Sequence, residues 1–450
     1  MYDVSSILNN DYDKAVIRKA ILLMMLPIML ENFLQLLTEL VATAMVGRLT
    51  DVDISIQGMS TKIIDFVYYL FRGCGLALVV VISKNMAQEK IAESRTVFEK
   101  TVVSTIVVSF FIGTLLFLFP EVPTKVFTSD EALISGAANY IRILVFCLPF
   151  WGVNVCVSSV FQGKGDTKTP MIIAAFVNVL NIFLCYGLIF GNMAMPELGY
   201  KGAAVSLLVS RIAGCLVGIL VLYNKKLGLF TWRGQRKKVE KVLYEIYSIG
   251  LPSAAESGVW QVASIFLSRI LLFYGSSVFA AYQLGVQAEY ITEIPAIGFS
   301  IVAISLVSRV VVLQNEKLYI ELKKELIRIC VILSIITSFL LMVFPHIFMR
   351  ILTDNETLTG IAIPYVVIMG TIQIPQNLIK IYGGILRSAN YKNIPLIVSI
   401  FGTWIVRLTS AYLCAYVFNL PLISIWFCIL ADQVIRCAIL RYQVNHKKII

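Results

Sequence analysis

FPEVPTKVFTSDEALISGAANY at residues 119–140 returns 225 residues later as FPHIFMRILTDNETLTGIAIPY at residues 344–365. The stretches share residues at matching places: Phe119-Pro120 with Phe344-Pro345, Thr128 with Thr353, Glu131 with Glu356, Tyr140 with Tyr365. Outside them the same offset joins Pro27 to Pro252, Glu31 to Glu256, Gly73 to Gly298, Ser83 to Ser308, Pro170 to Pro395 and Arg211 to Arg436. Leu and Val matches mean little between two apolar sequences, but Pro, Glu and Arg are scarce and recur within corresponding apolar runs. The offset is half the chain, so one unit is written twice.

The repeats are carried by apolar runs. The chain is 58% hydrophobic and 14% charged, where a soluble domain carries about 25% charged residues. Its mean hydropathy is +0.83. A soluble core cannot bury this much apolar surface, so the excess faces lipid. Runs of roughly the 20 residues that a span needs fall near 20–46, 55–82, 99–119, 137–161, 170–191, 202–223, 246–273, 277–307, 325–347, 361–386, 395–417 and 420–440. The expected fold is all-α and integral to the membrane, with about twelve transmembrane helices in two six-helix bundles. An even number of spans per half makes the repeat parallel, about a pseudo-twofold axis along the membrane normal. The lobes are expected at 1–223 and 243–450, joined by a basic linker at 224–242 (NKKLGLFTWRGQRKKVEKV).

Loop charge sets the orientation. One set of alternate loops carries 26 Lys and Arg; the other carries Arg48, Lys125, Lys201 and Arg350. Positive charge stays inside, so both termini are expected in the cytoplasm of a multi-pass plasma-membrane protein. The net charge of +11 sits in these loops rather than on one amphipathic surface, which argues against a nucleic-acid partner. The start, with Asp3, Asp11 and Asp13, lacks the order of a cleaved signal.

Several chemistries are excluded. Nine cysteines fall inside apolar runs without metal-ligand or disulfide spacing, and the only histidines are His346 and His446; neither a metal site nor a membrane-embedded enzyme is expected. GKGDTK at 163–168 lacks the spacing of a phosphate-binding loop. With no ATPase domain, transport is expected to run on an ion gradient, with a proton or sodium ion as the coupling ion and no cofactor.

Charges at mid-membrane cost about 2.5–3.5 kcal/mol on insertion scales and mark candidate sites. Glu31 and Glu256 each follow a helix proline by four residues. Proline frees backbone carbonyls beside them, which suits a proton or sodium ion. Glu39 lies two turns beyond Glu31 on the same face. Glu289 and Glu293 are i, i+4 neighbours that either line a cation-attracting cavity or pair with Arg269 or Lys380. Asp432–Arg436 and Lys62–Asp65 read as local salt bridges. Gln35, Asn154, Asn178, Asn181 and Gln283 either contact substrate or bond helices together.

The run YIRILVFCLPFWGVNVCVSSVFQGKGDTKTP from 140, followed by NIFLCYGLIFG and ELGYKGAAVSLLVSRI, resembles the multidrug and toxic compound extrusion (MATE) transporters, as do LPIMLENFLQLLTELVATAMVGRL and GLPSAAES. The resemblance covers nearly the whole chain. It implies a two-bundle exporter of small amphiphilic, often cationic, organic compounds, working by proton or sodium antiport with alternating access. Glu256 matches the family's seventh-span acidic position, with Glu31 and Glu39 as substitutes on the other lobe. Ala42 and Cys185 stand where the family commonly has Asp, and the second loop is degenerate, RSANYKNIP at 387–395. A lipid-linked-sugar flippase is the alternative, for which Arg72, Arg142, Arg211, Arg269 and Lys380 would supply a basic cavity. The expected partners are the bilayer and a small organic substrate, and the expected state is a monomer.

Overall fold

The computed structural model describes residues 13–128, 130–225, 239–353 and 355–450. The first twelve residues and most of the basic linker lie outside the described residues. Along the chain run α1 (Lys14–Val46), α2 (Asp51–Ala87), α3 (Ile91–Leu118), a short α4 (Glu121–Thr124), α5 (Glu131–Leu144), α6 (Cys147–Gly163), α7 (Lys168–Phe190) and α8 (Tyr200–Asn224). The second half holds α9 (Val239–Phe273), α10 (Ser276–Leu313), α11 (Glu316–Val343), α12 (Pro345–Leu352) and α13 (Glu356–Ser388). It ends with α14 (Ile394–Val417), which contains π-helical turns, and α15 (Ile423–His446).

The repeated block is a helix stop followed by a helix start. The Phe119 N–H closes α3 on Leu115 O, and the Phe344 N–H closes α11 on Leu340 O. The following proline cannot continue the helix. Next, the Thr128 hydroxyl accepts the Asp130 N–H at 3.1 Å, and Thr353 accepts the Asn355 N–H at 3.1 Å. Asp130 then caps α5 by accepting the Ala132 N–H at 2.9 Å, as Asn355 caps α13 by accepting from Thr357 at 3.0 Å. Glu131 and Glu356 open the helices, where the positive end of the dipole favours a carboxylate.

The helices are inside-out relative to a soluble protein. On α3, Thr101, Thr105, Ser109 and Gly113 recur every fourth residue and are buried, while Val107, Phe110, Phe111 and Leu118 are each at least 60% exposed. Small residues let the backbones approach: a Cβ on Gly152 of α6 would strike the Thr105 side chain.

Among the described residues, ten helices are long and apolar enough to cross a membrane, and α5 with α6 makes an eleventh span bent by 49°. The sequence reading took 137–161 as one helix. It breaks at Val145–Phe146 because Pro149 has no N–H to return to the Val145 carbonyl. The twelfth span is α9, long enough to cross but made more polar by Glu256, Gln261 and Arg269.

Packing divides the chain along a different line from its sequence halves. One compact unit is Leu30–Ala254; the other joins residues up to Met29 with Ala255–Ile450. Each therefore takes the first half of the other repeat's leading helix, and the cuts lie just past Pro27 and Pro252. Two glycines show the exchange. A Cβ on Gly73 would meet Gly250 O at 2.5 Å and Ala254 Cβ at 2.9 Å; one on Gly298 would meet Met25 at 3.1 Å and Met29 at 3.5 Å. These contacts are one set, carried over by the 225-residue offset.

A buried bond fixes α2 on α6, from the Ser83 hydroxyl to Gly163 O at 3.0 Å, and α10 on α13, from Ser308 to the Ser388 hydroxyl at 3.0 Å. Beyond Gly163, Asp166 accepts from Lys225 Nζ at 2.7 Å, from the Thr169 hydroxyl at 2.7 Å and from the Thr169 N–H at 3.1 Å, tying α8 to the start of α7. Burial alone would raise the Asp166 carboxyl, but these hydrogen bonds outweigh it and hold it below its ordinary 3.8. In the second repeat Tyr391 stands at this position, donating to Lys448 O at 3.2 Å.

Two outcomes follow. Asp130→Ala and Asn355→Ala should each cost about 0.5–2 kcal/mol, by matching amounts, in thermal unfolding of the detergent-solubilised protein, with Asp130→Ser near wild type. For Asp166 the folded value is depressed, so its contribution is present above 3.8 and is lost as pH falls through the folded value. The Tm gap between wild type and Asp166→Asn should therefore be full at pH 7 and close in acid.

Candidate functional site

Hydrocarbon leaves buried polar groups only one another as partners. In the unit built on Ala255–Ile450, Glu256, Glu289, Glu293 and Asp432 have each found one. Arg387, at the end of α13, pairs with Glu256 on α9. Glu289 on α10 accepts from the Tyr365 hydroxyl at 2.8 Å and from Gln376 Nε2 at 3.2 Å, both on α13. Glu293, one turn on, lies 3.6 Å from Lys380 Nζ, the second of the partners expected for it. Asp432 on α15 is fully buried between two guanidiniums. Arg407 reaches it at 2.7 Å and Arg436 at 2.7 Å. The expected Asp432–Arg436 pair is therefore two-thirds of a triad. Arg407 was missed in the sequence, although a charge inside an apolar run was the signal.

Beside this cluster lies an aromatic group: Tyr282 stacks on Trp426 at 5.9 Å, and Tyr365 meets Trp426 edge-on at 4.9 Å. Tyr365 thus joins the repeat signature to Glu289. Gln283 on α10 is half-buried and takes no part in the cluster's hydrogen bonds.

The unit Leu30–Ala254 is arranged differently. Glu31, Gln35 and Glu39 lie on α1, where Gln35 Nε2 donates to Glu39 at 3.2 Å. One oxygen of Glu31 is buried without a hydrogen-bond partner. Tyr68 stacks on Trp151 at 4.5 Å, and the Arg211 guanidinium lies over the same indole at 4.9 Å. Asn154 donates to Arg211 O at 3.1 Å, the helix-bonding role that was one of its two readings. Asn178 and Asn181 are both buried; Asn181 accepts weakly from the Cys185 thiol at 3.7 Å, while its Nδ2 is unpartnered. Cys185 is itself buried at 2.8 Å from the Ser206 hydroxyl, and Ala42 packs on the apolar core. Lys62 and Asp65, expected as a pair, are not among the ion pairs within 4.0 Å of the described residues. The structure thus brings Glu31, Gln35 and Glu39 onto one helix of this unit, and Glu256, Glu289 and Glu293 into the other. Tyr68, Trp151, Gln376 and Arg387 join them without having been singled out.

Asp432→Asn should leave Arg407 and Arg436 buried against each other, at a cost of about 3–5 kcal/mol. Loss of the monodisperse peak in size-exclusion chromatography, partly recovered by adding Arg407→Gln, would read this out.

Comparison with known proteins places this geometry. The MatE family model matches residues 27–187 and again 251–413, so it recognises two copies at nearly the offset read from the sequence. The chain is 27% identical to the probable multidrug resistance protein NorM of Thermotoga maritima, over 93% of this chain and 90% of that one. It is 26% identical to the probable multidrug resistance protein YoeA of Bacillus subtilis, over 92% and 90%. A solved transporter of the MOP superfamily from Pyrococcus furiosus superposes with a TM-score of 0.90 at 17% identity, covering 99% of this chain and 98% of that one.

Proposed function

Because the chain belongs to the MatE family of membrane transporters, we propose that it exports small amphiphilic or cationic organic compounds by proton- or sodium-coupled antiport. The observation that carries this is the family match in both halves, with relatives of drug-resistance type along nearly the whole chain. The flippase reading is not favoured by these matches. Coupling is assigned to carboxylates held in the spans, for which Glu31, Glu39 and Glu256 are the candidates. A carboxylate in a low-dielectric site binds a cation strongly and is costly when empty, so its occupancy can be linked to conformation. The parallel repeat supports alternating access by rocking of two lobes. Gln35, Asn154, Asn178, Asn181, Gln283, Glu289 and Glu293 are the polar groups offered to substrate, and the aromatic faces of Tyr68 and Trp151 suit a cationic, planar compound. The reading takes the protein as a monomer in the plasma membrane, and the loop charges support cytoplasmic termini.

Ethidium movement in proteoliposomes, under separately imposed proton and sodium gradients, tests the reading. Efflux should accelerate severalfold under one of the two gradients. Transport indifferent to both would remove the coupling, and absence of dye movement in a folded preparation would remove the substrate class.

A further inference from the structure

Glu31 and Glu256 occupy the same place in the two repeats, four residues past the helix proline and just beyond the point where the leading helix enters its unit. Their surroundings differ at several positions, since Tyr68 and Arg72 of the first repeat have Glu293 and Ile297 as counterparts, and one difference bears directly on the glutamates. In the second repeat Arg387 pairs with Glu256, and only 8% of the arginine side chain is exposed. In the first repeat that position is Gln162, a neutral amide. The frame around the two positions is the same, because the buried bonds from Ser83 to Gly163 and from Ser308 to Ser388 fix the next residue in each. Room for the guanidinium comes from Gly383, where a Cβ would approach Arg387 Nη1 to 3.3 Å; the first repeat has Ser158 there.

Glu31, by contrast, keeps one oxygen buried without a hydrogen-bond partner. The groups that act on it are Arg72 and Tyr68 from α2, and neither closes an ion pair with it within 4.0 Å. Glu39, on its own helix, accepts from Gln35, with Arg211 acting on it at longer range.

We propose that Arg387 is a tethered counter-cation for Glu256, occupying the place a proton or sodium ion would take, and that ion exchange is thereby left to Glu31 in the other repeat. This rests on the coupling reading above. A mobile ion must compete with a guanidinium held on the same scaffold, whose effective concentration does not fall when the bulk ion is diluted. A bidentate-capable, always-charged group is the natural permanent partner for a carboxylate. Arg387 is a positioning residue: it decides which of two equivalent carboxylates can empty.

Dicyclohexylcarbodiimide, which modifies protonated carboxyls in apolar surroundings, tests the pairing without any transport. In the full-length protein, peptide mass spectrometry should find Glu31 labelled and Glu256 spared, and Arg387→Gln should raise Glu256 labelling at least fivefold. Glu256 labelled as readily as Glu31 in the wild type, or unmoved by Arg387→Gln, would overturn the proposal. In proteoliposomes with a coupled wild type, Glu31→Gln and Gln162→Arg should each abolish the response to the driving gradient, with Glu31→Asp retaining it and size-exclusion profiles confirming folding. A preserved response in folded Glu31→Gln would equally overturn it. A wild type that ignores every gradient yet shows the expected labelling sinks the coupling reading alone.

Discussion

A polar group in hydrocarbon has no water to fall back on, and this constraint shapes the structure from backbone to charges. Helices satisfy the backbone. Caps such as Asp130 and Asn355 satisfy the ends at the bends between spans. Side chains have two remaining options, to pair or to be small. The stripe Thr101–Thr105–Ser109–Gly113 takes the second: Thr101 returns its hydroxyl to Val97 O at 2.7 Å and Ser109 to Thr105 O at 2.6 Å, while Thr105 meets the Cys156 thiol of α6. The carboxylates of the second repeat take the first. Glu256 meets Arg387, Glu293 meets Lys380 and Asp432 meets both Arg407 and Arg436, while Glu289 is taken by the neutral donors Tyr365 and Gln376.

The leading helices pose a different problem. A helix interrupted by proline loses one hydrogen bond and is free to change course there. In this chain α1 and α9 each leave one packed unit for the other within two residues of Pro27 and Pro252. The contacts on either side need close backbone approach, which explains why Gly73 and Gly298 recur at the same offset as the prolines. Proline, glycine and the following glutamate are therefore one device seen three ways: the break, the space that accepts the exchanged half-helix, and the charge placed just past it.

What the sequence disclosed and what it hid follow from this division. Scarce residues at a fixed offset revealed the repeat because each performs a backbone task, and backbone tasks tolerate few residue types. The span count was legible because length and apolarity are local properties. The bend at Val145–Phe146 was not, since Pro149 there looks no different from a proline tolerated inside α1. The boundary of the packed units was hidden as well. Hydropathy sees a long basic linker at 224–242 and cannot see that a helix changes partners in its middle. Among the candidate residues, the acids were found by their cost, and of their partners Lys380 and Arg436 were named, whereas Arg387, Arg407 and Tyr365 were not. Arg387 and Tyr365 lie more than 70 residues from Glu256 and Glu289, and only the fold brings them together.

The repeats also show how a duplicated structure comes to do unequal things. Fixing bonds have been kept: Ser83 and Ser308 bind equivalent residues, one through the Gly163 carbonyl and the other through the Ser388 hydroxyl, Thr128 and Thr353 hold the same N–H, and Phe119 and Phe344 close the same turn. Side-chain chemistry has been exchanged around them. Asp166, tied to Lys225, has Tyr391 as its counterpart, tied to the backbone of Lys448. Gln162 has Arg387 as its counterpart, and Ser158 has Gly383. The first two replacements alter charge, and the third gives the new guanidinium its room. Two carboxylates at equivalent points can then differ in the one respect that matters for ion exchange, whether the partner is part of the protein or comes and goes. A symmetric pair of free acids would double the electrostatic cost of the empty state. Fixing one partner leaves a single carboxylate to bear it, and lets the other half carry its charge as permanent structure.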